Sequence, residues 1–446
     1  MDAAGVPTGG ISKERLLVFL VCSILAVIVL PNLITGLLVV GFWLRILNAN
    51  FGWREATIGA FMLSCVLASS RDPGIQYWKP LRLLTAALMV LEAVKILRSS
   101  DVSFRREQLS WLLLIVLCTG VPALLSAEAR AGFFETVLLG SMWVTMMILG
   151  TYVSDSSIQT HRINMIVTLG WAVLLASAIL TFFGRESMYL GERWCGVFGN
   201  PNEISHWWLF VFLLGLVDGA RRRKPIWKWL VAGLLLVLVT GTRGALVAMF
   251  MGALGVYLYR ANRATRLQGV FLMAIFGVAV LYGGTLLNTF VNALPENLAR
   301  LDSIGTGGGR FLAWNFAWEE IMLEPWFGQG GGYEERFFYA NSDYFSFHNH
   351  QGLSHNSWLA FAMNYGIPAA MVLIVGLLAS LRVAKNQFGR IILPAMLISL
   401  TIEGWLTAPM SASSPMLFFV GGLVASFREG LDDEREETTS LQSLPS

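Results

Sequence analysis

Charge is scarce in this chain: Asp, Glu, Lys and Arg make up 14% of it, against about a quarter in an ordinary soluble domain. A water-soluble fold of that composition could not cover its surface with polar groups. Long polar connections are also missing on one side of the apolar runs, where none exceeds about a dozen residues. With no G-x-x-x-x-G-K-[ST] pattern anywhere, there is no room for a nucleotide-hydrolysing domain, so any reaction must draw on an already activated substrate. Cysteine is rare as well. Of four, Cys22, Cys65 and Cys118 fall inside apolar runs and only Cys195 in a connection, so no pair is placed for an extracytoplasmic disulfide. The formal charge of +3 is spread over short loops, which leaves no basic face for a nucleic acid; lipid headgroups are the natural counterions. The outer connections lack the D-x-D pair or His-x-x-x-His spacing that would hold a metal, and Asp432 and Asp433 lie in the tail.

What is present is apolar: 55% of residues, with a mean hydropathy of +0.61. Fourteen apolar runs can be marked between Leu16 and Phe427. Several are too short to cross about 30 Å of hydrocarbon without tilt or thinning. The expectation is an all-α, polytopic transmembrane helix bundle of about 12 spans, with a range of 11–14. No small-residue cleavage site follows Val21 to Leu30, so the first run reads as a retained anchor. Placing both termini in the cytoplasm gives the inner connections about twice the Lys and Arg of the outer ones, as the positive-inside rule requires. The expected division is a transmembrane bundle over 1–290, a large outer loop over 291–354, C-terminal transmembrane helices over 355–427 and a disordered cytoplasmic tail over 428–446.

Arginine gathers at the outer mouths of the runs: Arg193 after Gly191-Glu192, Arg243 in Thr242-Arg243-Gly244, and Arg310 after three glycines. Such residues are costly near hydrocarbon. The planar guanidinium suits bidentate contact with phosphate oxygens, although an interfacial arginine that only meets headgroups is the plain alternative. His355, in Ser354-His355-Asn356-Ser357-Trp358, stands where the long loop returns to the membrane. An imidazole there can take a proton from an acceptor hydroxyl near neutral pH, or merely cap a helix. His206, His348 and His350 read as structural. The run Gly328-Gln329-Gly330-Gly331-Gly332 can wrap a glycan, or supply a turn with unusual backbone angles.

Taken together these motifs resemble the O-antigen ligase and O-antigen polymerase superfamily, bacterial membrane enzymes that move glycans off undecaprenyl diphosphate. His355-Asn356, nine residues and then Gly366 is similar to the ligase signature, with Ala369 in place of its last Gly; Gly309-Arg310 with Trp314, then Pro325 and Gly328-Gln329-Gly330, resembles the family's loop segment. Thr242-Arg243-Gly244-Ala245 resembles its Ser-Arg element, and Gly199-Asn200-Pro201-Asn202 its Asn-Pro-Asn lead into a later span. The resemblance covers roughly Gly191 to Ala370.

The resemblance implies a metal-independent glycosyltransferase with no cofactor and no nucleotide, in the bacterial inner membrane with its active site facing the periplasm. His355, Arg310 and Arg243 would be catalytic, with His355 activating the acceptor and the arginines holding the donor's diphosphate. Arg193, Asn200, Asn202, Asn356, Trp314 and Gly330 would bind substrate. The donor would be an undecaprenyl-diphosphate-linked glycan, and the acceptor a lipid A core sugar for a ligase or a glycan for an O-antigen or exopolysaccharide polymerase. A polysaccharide-lipid transporter or flippase is the competitor from another class. It would place its charges near mid-membrane, whereas Glu92, Lys95, Asp218 and Glu403 all read as lying near the ends of runs.

Overall fold

The computed structural model describes residues 11–70, 78–98, 106–151, 156–190, 193–221, 226–260, 310–347, 353–383, 387–407, 411 and 413–426. Nearly all of them are helical. In chain order the helices are α1 (Lys13–Val29), α2 (Leu33–Phe51), α3 (Trp53–Ala68), α4 (Trp78–Arg98), α5 (Arg106–Leu125), α6 (Ala129–Thr151), α7 (Ser156–Phe182), α8 (Pro201–Arg221), α9 (Trp227–Thr240) and α10 (Arg243–Arg260). After them come α11 (Arg310–Leu323), α12 (Tyr333–Ala340), α13 (Ser342–Phe347), α14 (Ser357–Tyr365), α15 (Ile367–Val383), α16 (Gln387–Ile402) and α17 (Ser414–Ser426). A two-residue hairpin pair, β1 (Tyr189–Leu190) and β2 (Arg193–Trp194), sits between α7 and α8.

Local chemistry sets the boundaries. Asn32 opens α2 by accepting from Thr35 N–H at 2.8 Å, and Gly52 closes it at φ 96°, a conformation open to glycine at little cost. Leu33–Phe51, Ala129–Gly150 and Thr160–Phe182 are long and apolar enough to cross a bilayer. Shorter apolar helices such as Trp227–Thr240 and Ile367–Leu378 accompany them. Ile34, Leu38 and Leu124 are about 70% exposed; side chains of that kind belong against lipid rather than water. The expected run from 355 to 381 is two helices, because Gly366 at φ 88° breaks it before Pro368. Residues 310–347, expected as loop, form α11, α12 and α13. The expected span over 267–290 and the tail lie outside the described residues.

Aromatic and polar links tie the helices together. Trp143 on α6 stacks on Phe418 of α17 at 4.2 Å between centroids and on Phe361 of α14 at 5.8 Å, and its Nε1 donates to Ser414 at 3.1 Å. Trp171, Trp208 and Trp229 join α7, α8 and α9. Arg162, expected in an inner connection, is instead buried: its Nε meets Glu55 of α3 at 2.9 Å and its Nη1 donates to the Leu149 carbonyl at 2.7 Å. A charge so deep is tolerable only because both kinds of partner are in place.

The glycine run is a clamp. Gly328 and Gln329 present their carbonyls to the N–H groups of Ala127 and Glu128, while the N–H groups of Gln329 and Gly330 reach the carbonyls of Met363 and Asn364. The strip is thereby fixed between the α5–α6 turn and the end of α14. Its φ values of 70° at Gly328, 121° at Gly330 and 70° at Gly332 are those an L side chain resists.

Candidate functional site

Five elements meet around one carboxylate. Glu403 follows the last residue of α16 and is 3% exposed. Its Oε1 accepts from Arg310 Nη2 at 2.9 Å, and its Oε2 from Asn202 Nδ2 at 3.2 Å. His355 Nδ1 stands 3.4 Å from the same Oε2. Arg310, at the start of α11, also donates through Nη1 to the Ile402 carbonyl at 3.0 Å. These donors are what a buried carboxylate needs to remain charged. Two glycines lie close by, and at the first an added carbon would be crowded. A Cβ on Gly244, in the first turn of α10, would meet Glu403 Oε1 at 3.3 Å; one on Gly404 would meet His355 N at 3.5 Å.

Asn202 extends the network into α8. Its Oδ1 accepts from Arg193 Nη2 at 2.8 Å, and Arg193 further donates to the Thr240 carbonyl at 2.7 Å and to Thr242 Oγ1 at 3.1 Å. Thr242 Oγ1 itself donates to the Pro201 carbonyl at 3.3 Å. The hairpin, the start of α8 and the α9–α10 turn are thus cross-linked through one guanidinium. The Thr242-Arg243 turn stands beside the carboxylate; the Arg243 side chain lies outside the described residues.

His355 is held in unusual backbone. Its φ of 49° makes it the sole non-glycine residue with positive φ among those described, a conformation that costs about 1–2 kcal/mol per residue. Bonds on both sides impose it. The Trp314 indole donates to the Ser354 carbonyl at 2.8 Å, and Ser354 N–H and Oγ donate to Glu334 Oε1 at 2.9 and 2.6 Å. On the other side Asn356 caps α14, accepting from the N–H groups of Trp358 and Leu359, as an N-cap should. Ser357 Oγ donates to the Glu403 carbonyl at 2.6 Å, tying the cap to the carboxylate's own backbone. Burial of Glu334 pushes its carboxyl up to about 7, against the two Ser354 donors, which act to lower it.

Of the residues expected from the motifs, His355, Arg310, Arg193 and Asn202 therefore share one bonded network. Asn356 and Trp314 brace it. Asn200 is exposed, and its side chain caps Asn202 N–H at 2.8 Å. Gly330 is buried in the backbone clamp. His348 and His350 lie outside the described residues. His206 is one helical turn beyond Asn202 on the same face of α8, buried against Trp405, and its Nε2 has no partner among the described residues.

Sequence reasoning passed over Glu403 as a charge near the end of a run. Its signal was an acidic residue closing an apolar stretch in Thr401-Ile402-Glu403-Gly404-Trp405, since an ionisable group at that depth demands a partner. Glu334 and Ser354 carried no comparable signal. Among the described residues no group of three or more His, Cys, Asp or Glu side chains could hold a metal ion.

Residues 229–374 match the O-antigen ligase family model. The match supports the O-antigen ligase and polymerase superfamily. The matched segment runs from the start of α9 into α15 and contains Thr242, Arg310, Trp314, His355 and Asn356. Arg193, Asn202 and Glu403 lie outside it, so three of the network's polar members come from sequence flanking the ligase-family match. No curated protein matches the chain. The match covers about a third of the chain, and the apolar helices are those of a membrane-embedded protein.

Proposed function

We propose that the protein is an O-antigen ligase-type glycosyltransferase that moves a glycan from undecaprenyl diphosphate to a lipid A core sugar. The observation that carries this reading is the Arg310–Glu403–His355 linkage: one carboxylate holds a guanidinium on one oxygen and an imidazole on the other. Glu403 is almost wholly covered, whereas the Arg310 and His355 side chains are 30% and 22% exposed. A ligand arriving at this face meets the cation and the base before the carboxylate.

With Nδ1 toward Glu403, Nε2 is the imidazole nitrogen turned away from the carboxylate. It takes the proton of the acceptor hydroxyl as that oxygen attacks the donor's anomeric carbon. The new carbon–oxygen bond forms, the bond to the diphosphate breaks, and the electron pair leaves with the undecaprenyl diphosphate. Arg310 and Arg243 stabilise the charge that grows on the leaving group. The donor would reach the site sideways from the outer leaflet of the inner membrane, and the product would stay on the periplasmic face. The large loop bearing the His-Asn element favours the ligase over a polymerase of the same superfamily.

The test is transfer by the purified protein from undecaprenyl-diphosphate glycan to lipid A core, followed by gel shift for the parent, His355→Ala, Arg310→Ala and Arg243→Ala, each shown to fold. Transfer by the parent and its loss in the variants is the expected result. Lengthening of the lipid-linked glycan with lipid A core untouched would make it a polymerase, and translocation in liposomes without transfer would make it a flippase.

A further inference from the structure

The backbone of His355 is strained, and the bonds that impose the strain converge on the residue before it. Ser354 is fully buried and its polar groups are engaged: N–H and Oγ with Glu334 Oε1, the carbonyl with the Trp314 indole. Glu334 is 2% exposed and belongs to α12, the first turn of which is pinned in turn, because Glu334 N–H donates to Asn364 Oδ1 at 2.9 Å. Asn364 lies near the end of α14, the helix that His355 precedes. Helices α12 and α14 thus hold each other at both ends of α14, and the histidine occupies the joint. A buried carboxyl is costly to keep unless its partners are in place, and here they are Ser354 N–H and Oγ.

We propose that Glu334 is a positioning residue for His355: by binding Ser354 through one carboxyl oxygen it holds the histidine in its left-handed backbone, and so aims the imidazole. The assignment rests on the reading of His355 as the base. Glu334 touches neither substrate nor the reacting atoms. Its contribution is angular, and misplacement of a catalytic group by about 1 Å costs on the order of 100-fold in rate.

Glu334→Ala, Glu334→Gln, Ser354→Ala and His355→Ala are compared with the parent by donor-dependent transfer kinetics and by deuterium exchange over residues 353–358. In Glu334→Ala, kcat is expected to fall roughly 10- to 100-fold with the donor KM unchanged within about twofold, because binding stays with the arginines. Glu334→Gln keeps an oxygen acceptor and should retain at least half of the parent's kcat. Exchange at Ser354 N–H should rise in Glu334→Ala and stay near the parent's in Glu334→Gln; Ser354→Ala, which loses the hydroxyl but keeps its N–H, should fall between them. Unchanged exchange in Glu334→Ala, a rise in KM without a fall in kcat, or a glutamine variant as impaired as the alanine would each overturn the assignment. Full transfer by His355→Ala would instead remove the base reading, and the exchange data would still decide whether Glu334 holds the loop.

Discussion

Glu403 joins a guanidinium, a carboxamide and an imidazole, so replacing it tests whether they work as a unit. Glu403→Gln preserves volume and one acceptor oxygen but removes the charge that faces Arg310 and His355. Transfer is expected to fall about 100-fold, the scale of a general base that has lost its alignment, while the variant still purifies as a folded protein. Activity above half the parent's would reduce Glu403 to a packing residue. Arg310→Lys separates charge from shape. The arginine reaches the Ile402 carbonyl and Glu403 through two separate nitrogens of its planar fork, a spread that the compact ammonium of lysine lacks, and kcat/KM should drop about 10-fold or more. Glu334 supplies a pH dependence. Its carboxyl is pushed up to about 7 in the fold by burial, above the value near 4.3 of a free glutamate. The folded protein therefore binds more protons than the unfolded chain between those values. Its stabilising part is complete below about pH 4.3 and is lost as pH rises through 7. Thermal midpoints of the parent should fall across that window relative to those of Glu334→Gln, and parallel curves would refute the account.

Helices α10 and α16 can approach each other at the site because a glycine stands at their crossing. A Cβ on Gly244 would lie 2.8 Å from Ile402 Cγ2, within the packed α10–α16 contact. Gly244→Ala should displace one helix from the other and lower transfer about 10-fold, with far less effect on the amount of folded protein. Gly328→Ala acts differently, since φ is 70° and the added carbon would meet the Tyr365 N at 2.5 Å. A cost of about 1–3 kcal/mol is expected, read as a lowered thermal midpoint. At this scale the sequence was only partly legible. Apolar runs mark membrane helices because lipid offers the backbone no partners; the run expected near 203–220 starts at Pro201 instead, as suits proline in a first helical turn. Helices α11 to α13 stayed hidden among glycines and charges, because their support comes from distant packing: Phe345 of α13 lies against Phe316 of α11 and Phe338 of α12. The arginines and His355 could be picked out one at a time. Their meeting could not, since the residue that joins them lies 93 positions beyond Arg310.

Across the molecule, polar bonds inside apolar surroundings decide which helices belong together. Glu55 and Arg162 join α3 to α7 and, through the Leu149 carbonyl, to α6. Arg162→Met alone leaves a buried carboxylate without its partner and should cost about 3–5 kcal/mol, whereas pairing it with Glu55→Gln should recover much of that loss. Denaturation of the two variants side by side checks it, and equal losses would show that the pair acts only by filling space. The same long reach gives the site an order in time. Asn202, Thr242, Arg310, His355 and Glu403 leave the ribosome in that sequence, and at about 5–20 residues per second the carboxylate trails Arg310 by some 5–20 s. During that interval the Arg310 guanidinium lacks the carboxylate that holds it in the finished fold. The site can therefore close only after α16 has been made, and a chain stopped short of Glu403 would hold the whole matched segment without the carboxylate that joins Arg310, Asn202 and His355.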